Sequence, residues 1–307
     1  YIYCCPGFTK PAGAPFADAE VSSAVMRVDT ASDFNDPASY CLFDARSIHP
    51  QAACFDGAAF DGRYAYFAPH RTGVVLSFDT TGEFEHRESW QTFDAASTIG
   101  MKPNVGIVFD SRHLYFVPFD SSLMVRFDTG GDFHDLGSWS SHDVGGTLGR
   151  SRAGFKGGFF DGRYVYYIPF RGNYLRYDTT GPFEDAHSWE ARDAGFTDGL
   201  HTVAFTAGAT DGRYLYAAPW RSPGNADDMS GRVLRFDTLE SGTFSLRYCD
   251  YGHNGGLCAA VPGPSFLINT SDGPFSVSAH RLLEPGWHRL AGSYDGKVIR
   301  LYVDGSP

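Results

Sequence analysis

The chain has 307 residues, a formal net charge of −11, and 42% hydrophobic and 16% aromatic residues. Such acidity argues against nucleic acid or an anionic membrane surface as principal partner, since both repel a net anion. No apolar run approaches the ~18 residues of a membrane span, so membrane insertion is not expected, and the length suffices for the core of one large domain.

The chain opens inside a repeat, YIYCCPGF followed by VMRVDTASDF, without a Met start or a basic leader, as a trimmed or partial chain would. Clearer copies follow: FDGRYAYFAPHRTGVVLSFDTTGEF, FDSRHLYFVPFDSSLMVRFDTGGDF, FDGRYVYYIPFRGNYLRYDTTGPF and the looser TDGRYLYAAPWRSPGNADDMSGRVLRFDTLESGTF. The Asp of the "DT" step stands at Asp29, Asp79, Asp128, Asp178 and Asp237, spacings of 50, 49, 50 and 59. Each unit is about four short strands long. An all-β fold of five four-stranded β-propeller blades follows, over residues 1–263.

The second unit shows the pattern. Residues 57–60 are a short strand of small side chains, Asp61-Gly62 turns, 64–68 alternates large and small residues, and Pro69 ends that strand. Residues 74–78 form the third strand, the stretch from Asp79 to Gly82 turns, and 90–93 is the outermost strand. Small innermost strands suit a crowded centre, and Gly57, Gly106, Gly158 and Gly208 stand at equivalent or adjacent places as close-packing positions. The first unit lacks its innermost strand. Residues 257–261, small and apolar, are expected to supply it beside residues 2–5, closing the ring and removing its edges.

Six cysteines occur, Cys4, Cys5, Cys41, Cys54, Cys249 and Cys258, none in a C-x-x-C pair, which leaves zinc and thioredoxin chemistry poorly supported. An even count with few lysines fits a secreted, extracellular protein with disulfides; buried reduced thiols are the alternative. Cys258 is expected to bond Cys4 or Cys5, and Cys41 to bond Cys54.

Blade connectivity sorts the charges onto two faces. The "DT" turns carry Asp33, Asp36, Glu83, Glu85, Asp132, Asp135, Glu184 and Asp185 on one. The other receives Arg46, Arg71, Lys102, Arg150, Arg152, Lys156, Arg171 and Arg221, with His49, His70, His201 and His253. Acids occur there too, among them Asp56, Asp120, Asp198, Asp227 and Asp228. After the repeat proline stand His70-Arg71, Phe119-Asp120, Phe170-Arg171 and Trp220-Arg221. An aromatic ring beside a charged group can stack on a sugar while the charge bonds its hydroxyls or carboxylate. The competing reading makes the aromatics blade-to-blade core and the arginines solvated loop ends. Arg71, Lys102, Arg152, Lys156, Arg171, Arg221 and Trp220 are the candidate ligand residues.

Once-per-blade Asp residues in the DGR and DT steps read as turn architecture, as do Trp90, Trp139 and Trp189 on outermost strands. A glycosidase needs converging carboxylates. The innermost-strand positions offer Asp56, Val105, Lys156, Thr206 and Leu257, of which only one is acidic. No nucleophile elbow or zinc-protease motif occurs, and His49, His201 and His253 are too scattered to suggest a metal; no cofactor is expected.

The repeat resembles five-bladed propellers of the tachylectin kind in blade count and one-site-per-blade logic. Residues 264–307 form a separate segment, in which GWHRLAGSYDGKVIRLYVDG (286–305) resembles one hairpin of the concanavalin-like, laminin-G-type jelly rolls. Three readings result: a secreted lectin-like module for glycans, anionic ones by the basic face; a glycoside hydrolase of the five-bladed type; and an adhesive protein that self-associates into filaments through complementary faces.

Overall fold

The computed structural model describes residues 1–10, 19–192, 196–197, 200–201, 204–210, 214–220, 232–237, 244–248, 265–270, 273–278, 289–294 and 297–306. The chain divides into two compact units, Tyr1–Asp250 and Tyr251–Pro307. In the second, two hairpins are described: Ser265–Thr270 with Gly273–Ser278, and Leu290–Tyr294 with Ile299–Val303.

The first unit is all-β. Four antiparallel sheets have four strands each, in sequential order. The second sheet runs Phe55–Phe60, Tyr64–Pro69, Val74–Asp79, Trp90–Asp94, and the third Asn104–Phe109, His113–Pro118, Leu123–Asp128, Trp139–Asp143. The fourth runs Phe155–Phe160, Tyr164–Pro169, Tyr174–Asp178, Trp189–Arg192, and the fifth Phe205–Thr210, Tyr214–Pro219, Arg232–Asp237, Phe244–Tyr248. Among the described residues the first sheet has three strands, Ile2–Cys4, Ala24–Val28 and Tyr40–Asp44.

The repeated polar residues build the turns. Asp61 accepts hydrogen bonds from the backbone N–H groups of Arg63 (2.8 Å) and Tyr64 (2.6 Å), and Asp110 and Asp161 repeat the motif. The guanidinium of the same DGR step then pairs with the "DT" aspartate: Arg63 with Asp79 at 2.6 Å, Arg112 with Asp128 at 2.9 Å, Arg163 with Asp178 at 2.6 Å. Trp90, Trp139 and Trp189 each donate their indole N–H to a carbonyl six residues back, those of Phe84, Phe133 and Phe183 (2.7, 3.0 and 2.8 Å). Each indole thus closes its own acidic turn while its ring stays buried.

Consecutive sheets meet through two different contacts. At the innermost strands the backbones touch. A methyl on Gly57 would lie 2.8 Å from Gly106 Cα, and one on Gly106 would lie 3.2 Å from Gly157 Cα. All three have φ between +78° and +129°, within β-bulges that precede the regular pairing. At the rim, outermost-strand rings stack on the next sheet's tryptophan: Phe43 on Trp90 and Phe93 on Trp139, both at 4.3 Å, and His142 on Trp189 at 5.7 Å. Between centre and rim lie four buried clusters, one at each junction of consecutive sheets.

The expected Cys41–Cys54 bond is corrected. Cys4, Cys5, Cys41 and Cys54 are free thiols. Cys41 faces Arg27 in register, near the "DT" turn, whereas Cys54 donates its N–H to Ser22 at the opposite end of the sheet (2.8 Å). A five-residue strand separates the two ends, beyond disulfide reach. Cys258, Cys249 and the expected closing strand 257–261 lie outside the described residues.

Candidate ligand-binding face

Strand direction brings the second-to-third and fourth-to-first connections to one end of the sheets. There a backbone hook recurs. The residue before the innermost strand has left-handed φ at Cys54 (58°), Gly154 (68°) and Ala204 (66°). Its carbonyl accepts from the residue after the repeat proline: His70 to Cys54 (2.8 Å), Phe170 to Gly154 (2.9 Å), Trp220 to Ala204 (2.9 Å). The first residue of each of these three dipeptides is therefore anchored by the same backbone bond, whereas Phe119 bonds the Pro103 carbonyl at 3.2 Å.

On that scaffold three cations lie over aromatic rings. Arg71 lies over Phe8 at 5.0 Å, Arg171 over Phe119 at 5.3 Å and Phe170 at 5.9 Å, and Lys156 Nζ over Trp220 at 4.0 Å. Phe119 and Phe170 are themselves 5.5 Å apart. Two of the three cations link neighbouring four-stranded sheets outright: Arg171 reaches back to Phe119, and Lys156 reaches forward to Trp220. Each contact is worth ~0.5–1 kcal/mol where exposed.

The structure thus brings Arg71, Lys156, Arg171 and Trp220 into use and distributes the remaining basic residues differently. Lys102 and Arg152 are exposed, without a cation–aromatic contact. Arg150 is committed to the fold, its Nη2 donating to the carbonyls of Ala153 (2.5 Å) and Arg171 (2.7 Å), with burial lowering its pKa. Arg221, Asp198, Asp227, Asp228 and His253 lie outside the described residues. Sequence reasoning missed Phe8. It occupies the repeat position of Arg71, so the first repeat supplies the ring and the second repeat the cation, and aligning the two repeats is the signal that reveals the exchange.

Beside Phe8 opens a cavity of about 300 Å³ lined by Cys5, Gly7, Phe8, Cys54, Phe55, Asp56, Gly57 and His70. His70 Nδ1 stands 3.7 Å from Asp56 Oδ2. Burial pushes the Cys5 thiol up to about 11, against an opposing hydrogen bond from the Gly57 backbone. Burial also raises Cys54, against the charge of Arg71. Both thiols are therefore protonated at neutral pH and poor nucleophiles. Among the described residues, no group of three His, Cys, Asp or Glu side chains is placed to hold a metal ion. The cavity offers one carboxylate, and the exposed Asp120 is not among its lining residues.

A larger concavity, about 590 Å³, lies on the opposite face around Arg112, Asp128, Thr129, Asp135 and Ser138. Its charges are already engaged, Arg112 with Asp128 and Asp135 with the Gly137 N–H (3.0 Å), so a ligand there would compete with turn architecture. The acidic turns elsewhere behave alike, Asp36 and Asp185 capping short helical turns.

No protein-family model and no curated protein matches the chain. Among solved structures it is similar to virginiamycin B lyase from Staphylococcus aureus, with 13% identity, a TM-score of 0.50, and coverage of 75% of this chain and 64% of that one. It therefore spans less than two thirds of the lyase. It is also similar to a chain of the nidogen/laminin complex (12% identity, TM-score 0.39, coverage 73% and 90%) and to Myxococcus xanthus glutaminyl cyclase (12%, 0.37, 60% and 66%). At 13% identity the likeness to the lyase speaks for architecture alone. Together with the succession of four-stranded antiparallel sheets, it identifies the first unit as a β-propeller.

Proposed function

We propose that the chain is a secreted, five-bladed β-propeller module that binds anionic glycans on the face carrying Arg71, Lys156 and Arg171. The observation that carries this reading is the recurrence of a cation on an aromatic ring at three places on one face of an otherwise acidic chain. A cation already positioned over a ring loses little further freedom when it meets a carboxylate or sulfate. Trp220, 36% exposed, leaves part of its indole open to a sugar ring. Five copies of the repeat and five successive sheets support the blade count, with residues 257–261 assigned to the first blade as its innermost strand. Residues 264–307 are assigned to a concanavalin-like segment, consistent with the hairpin Leu290–Tyr294 and Ile299–Val303. The hydrolase reading has less behind it: among the described residues the cavity beside Phe8 is lined by one carboxylate, Asp56.

The test is retention on immobilised polygalacturonate, a sulfated glycan and a neutral glucan, for the parent chain and the R71A/K156A/R171A variant. Losing charge-assisted contacts worth ~1.5 kcal/mol or more each should weaken anionic-glycan binding by at least roughly 100-fold. Parent binding should also fall with added salt. Undiminished binding by the variant, or equal retention on the neutral glucan, overturns the proposal.

A further inference from the structure

The junction of the first and second sheets differs from its counterparts by one side chain. Directly after the repeat proline stand His70, Phe119, Phe170 and Trp220, and in the first repeat that position is Gly7. Between the third and fourth sheets the place is filled: Phe119 packs on the buried cluster there and lies 5.5 Å from Phe170. Between the first and second it is open, and Gly7 lines the cavity of about 300 Å³ beside Phe8. Backbone geometry does not demand this glycine. Its φ lies outside the left-handed region, and a methyl built on it would meet no atom within 4 Å. The absent side chain makes space.

That space has polar walls. His70 Nδ1 is buried without a hydrogen-bond partner, and the Asp56 carboxylate, 3.7 Å away, is too distant to satisfy it. A buried nitrogen left unpaired costs free energy until something bonds it. Asp56 is the single acid among the equivalent positions Asp56, Val105, Lys156 and Thr206, and its side chain is 45% exposed. Phe8 adds an apolar edge 6.2 Å from the His70 ring, with Arg71 over its face at 5.0 Å. Cys54 and Phe55, both 1% exposed, complete the lining. A guest therefore meets an imidazole nitrogen beside a carboxylate, an aromatic ring, and a guanidinium next to that ring. The volume stands at the lower end of ligand pockets and suits a single sugar ring.

We infer that this cavity receives the terminal hexuronate of an anionic glycan. Its hydroxyls bond Asp56 and His70 Nδ1, its apolar face lies toward Phe8, and its carboxylate pairs with Arg71. The assignment rests on the anionic-glycan reading and narrows it, from equivalent sites around the ring to one chain-end pocket at one junction.

Titration calorimetry of the full chain with trigalacturonate tests it, beside retention on immobilised polygalacturonate. The parent should bind the trisaccharide at one site per chain. Gly7→Phe restores the residue found at positions 119 and 170, and should abolish that binding while the melting temperature stays at or above the parent's. Asp56→Asn, nearly isosteric, should weaken it at least roughly 10-fold. Unchanged affinity in either variant overturns the inference, as does a stoichiometry of several trisaccharides per chain; if Gly7→Phe fails to fold, Asp56→Asn decides. Polymer retention without trisaccharide binding sinks this pocket alone. Trisaccharide binding that Gly7→Phe removes, in a chain that does not retain the polymer, sinks only the broader face reading, and a parent that binds neither overturns both.

Discussion

Centre and rim join the same sheets by opposite means. At the centre, Gly57, Gly106 and Gly157 bring backbone against backbone: a methyl on Gly57 would overlap Gly106, and one on Gly106 or Gly157 would press on backbone at 3.2 or 3.1 Å. At the rim, the rings of Phe43, Phe93 and His142 lie flat on Trp90, Trp139 and Trp189. The centre therefore responds to any added atom, because backbone cannot swing aside. The rim responds in proportion to the apolar area removed or gained. A wedge-shaped sheet forces this division, since side-chain size must fall toward the axis.

The largest effect belongs to the rim. Trp139→Ala removes a buried indole, its stack on Phe93 and the donor to the Phe133 carbonyl, and should cost about 3–5 kcal/mol by chemical denaturation. Trp139→Phe should recover a large part of that loss, which would confirm a graded rim. Gly57→Ala, adding only one carbon, should cost roughly 3 kcal/mol, combining the overlap with Gly106 and the strained φ of +101°. Gly62→Ala is the control, with φ +107° and open space around the new methyl, so only the ~1–2 kcal/mol of backbone strain remains. Equal losses at positions 57 and 62 would abolish the claim that the centre is sterically closed.

Acid should strike the turns that hold both regions. Arg63 holds the Asp79 carboxyl well below the usual range, and Arg163 does the same for Asp178. For Asp110 burial works to raise the pKa, but hydrogen bonds from His113, its backbone and Tyr115 outweigh burial and lower it. A carboxyl depressed in the folded state contributes stability above its unfolded pKa of about 4, and that contribution is lost as the pH falls further. Melting temperature should thus hold from neutral pH to about pH 5 and fall below about pH 4. Asp110→Asn, at a side chain 8% exposed, should lower stability at pH 7 by ~1–3 kcal/mol and flatten the acid slope. An unaltered slope would remove Asp110 from the account.

Much of this was legible before any coordinates. The DGR, "DT" and tryptophan positions recur at fixed offsets, so repetition alone marked them as architecture, and small innermost strands marked the crowded centre. The pairing of Arg71 with Phe8 was not legible, because ring and cation sit in different repeats at the same repeat position. Nor was the separation of Cys41 from Cys54, which depends on strand direction and not on chain distance.

His142 is the weak member of the rim. It occupies the position of Phe43 and Phe93, yet stacks at 5.7 Å instead of 4.3 Å, and its Nε2 is buried without a hydrogen-bond partner. His142→Phe should tighten the stack on Trp189 and remove an unsatisfied nitrogen, gaining about 1 kcal/mol. A loss of stability would mean that the imidazole does something at this junction that a phenyl ring cannot.

The smallest effect returns to a turn. The third unit reads Asp110-Ser111-Arg112 where the second and fourth read Asp-Gly-Arg. Ser111 has φ 81°, beside 107° for Gly62 and 105° for Gly162, so a residue with a Cβ occupies a left-handed position that glycine fills elsewhere. That conformation costs ~1–2 kcal/mol, and Ser111→Gly should release it. The opposing term is the freedom glycine adds to the unfolded chain, ~0.5–1 kcal/mol, so the net gain should be about 0.5–1 kcal/mol. Ser111 is exposed, so no packing is lost with its hydroxymethyl group. The backbone bonds from Arg112 and His113 to Asp110 should survive, and the acid slope assigned to Asp110 should stay in place while the whole stability curve rises. Destabilisation by Ser111→Gly would show that the serine side chain supports the turn, and that left-handed strain is not what separates the third sheet from its neighbours.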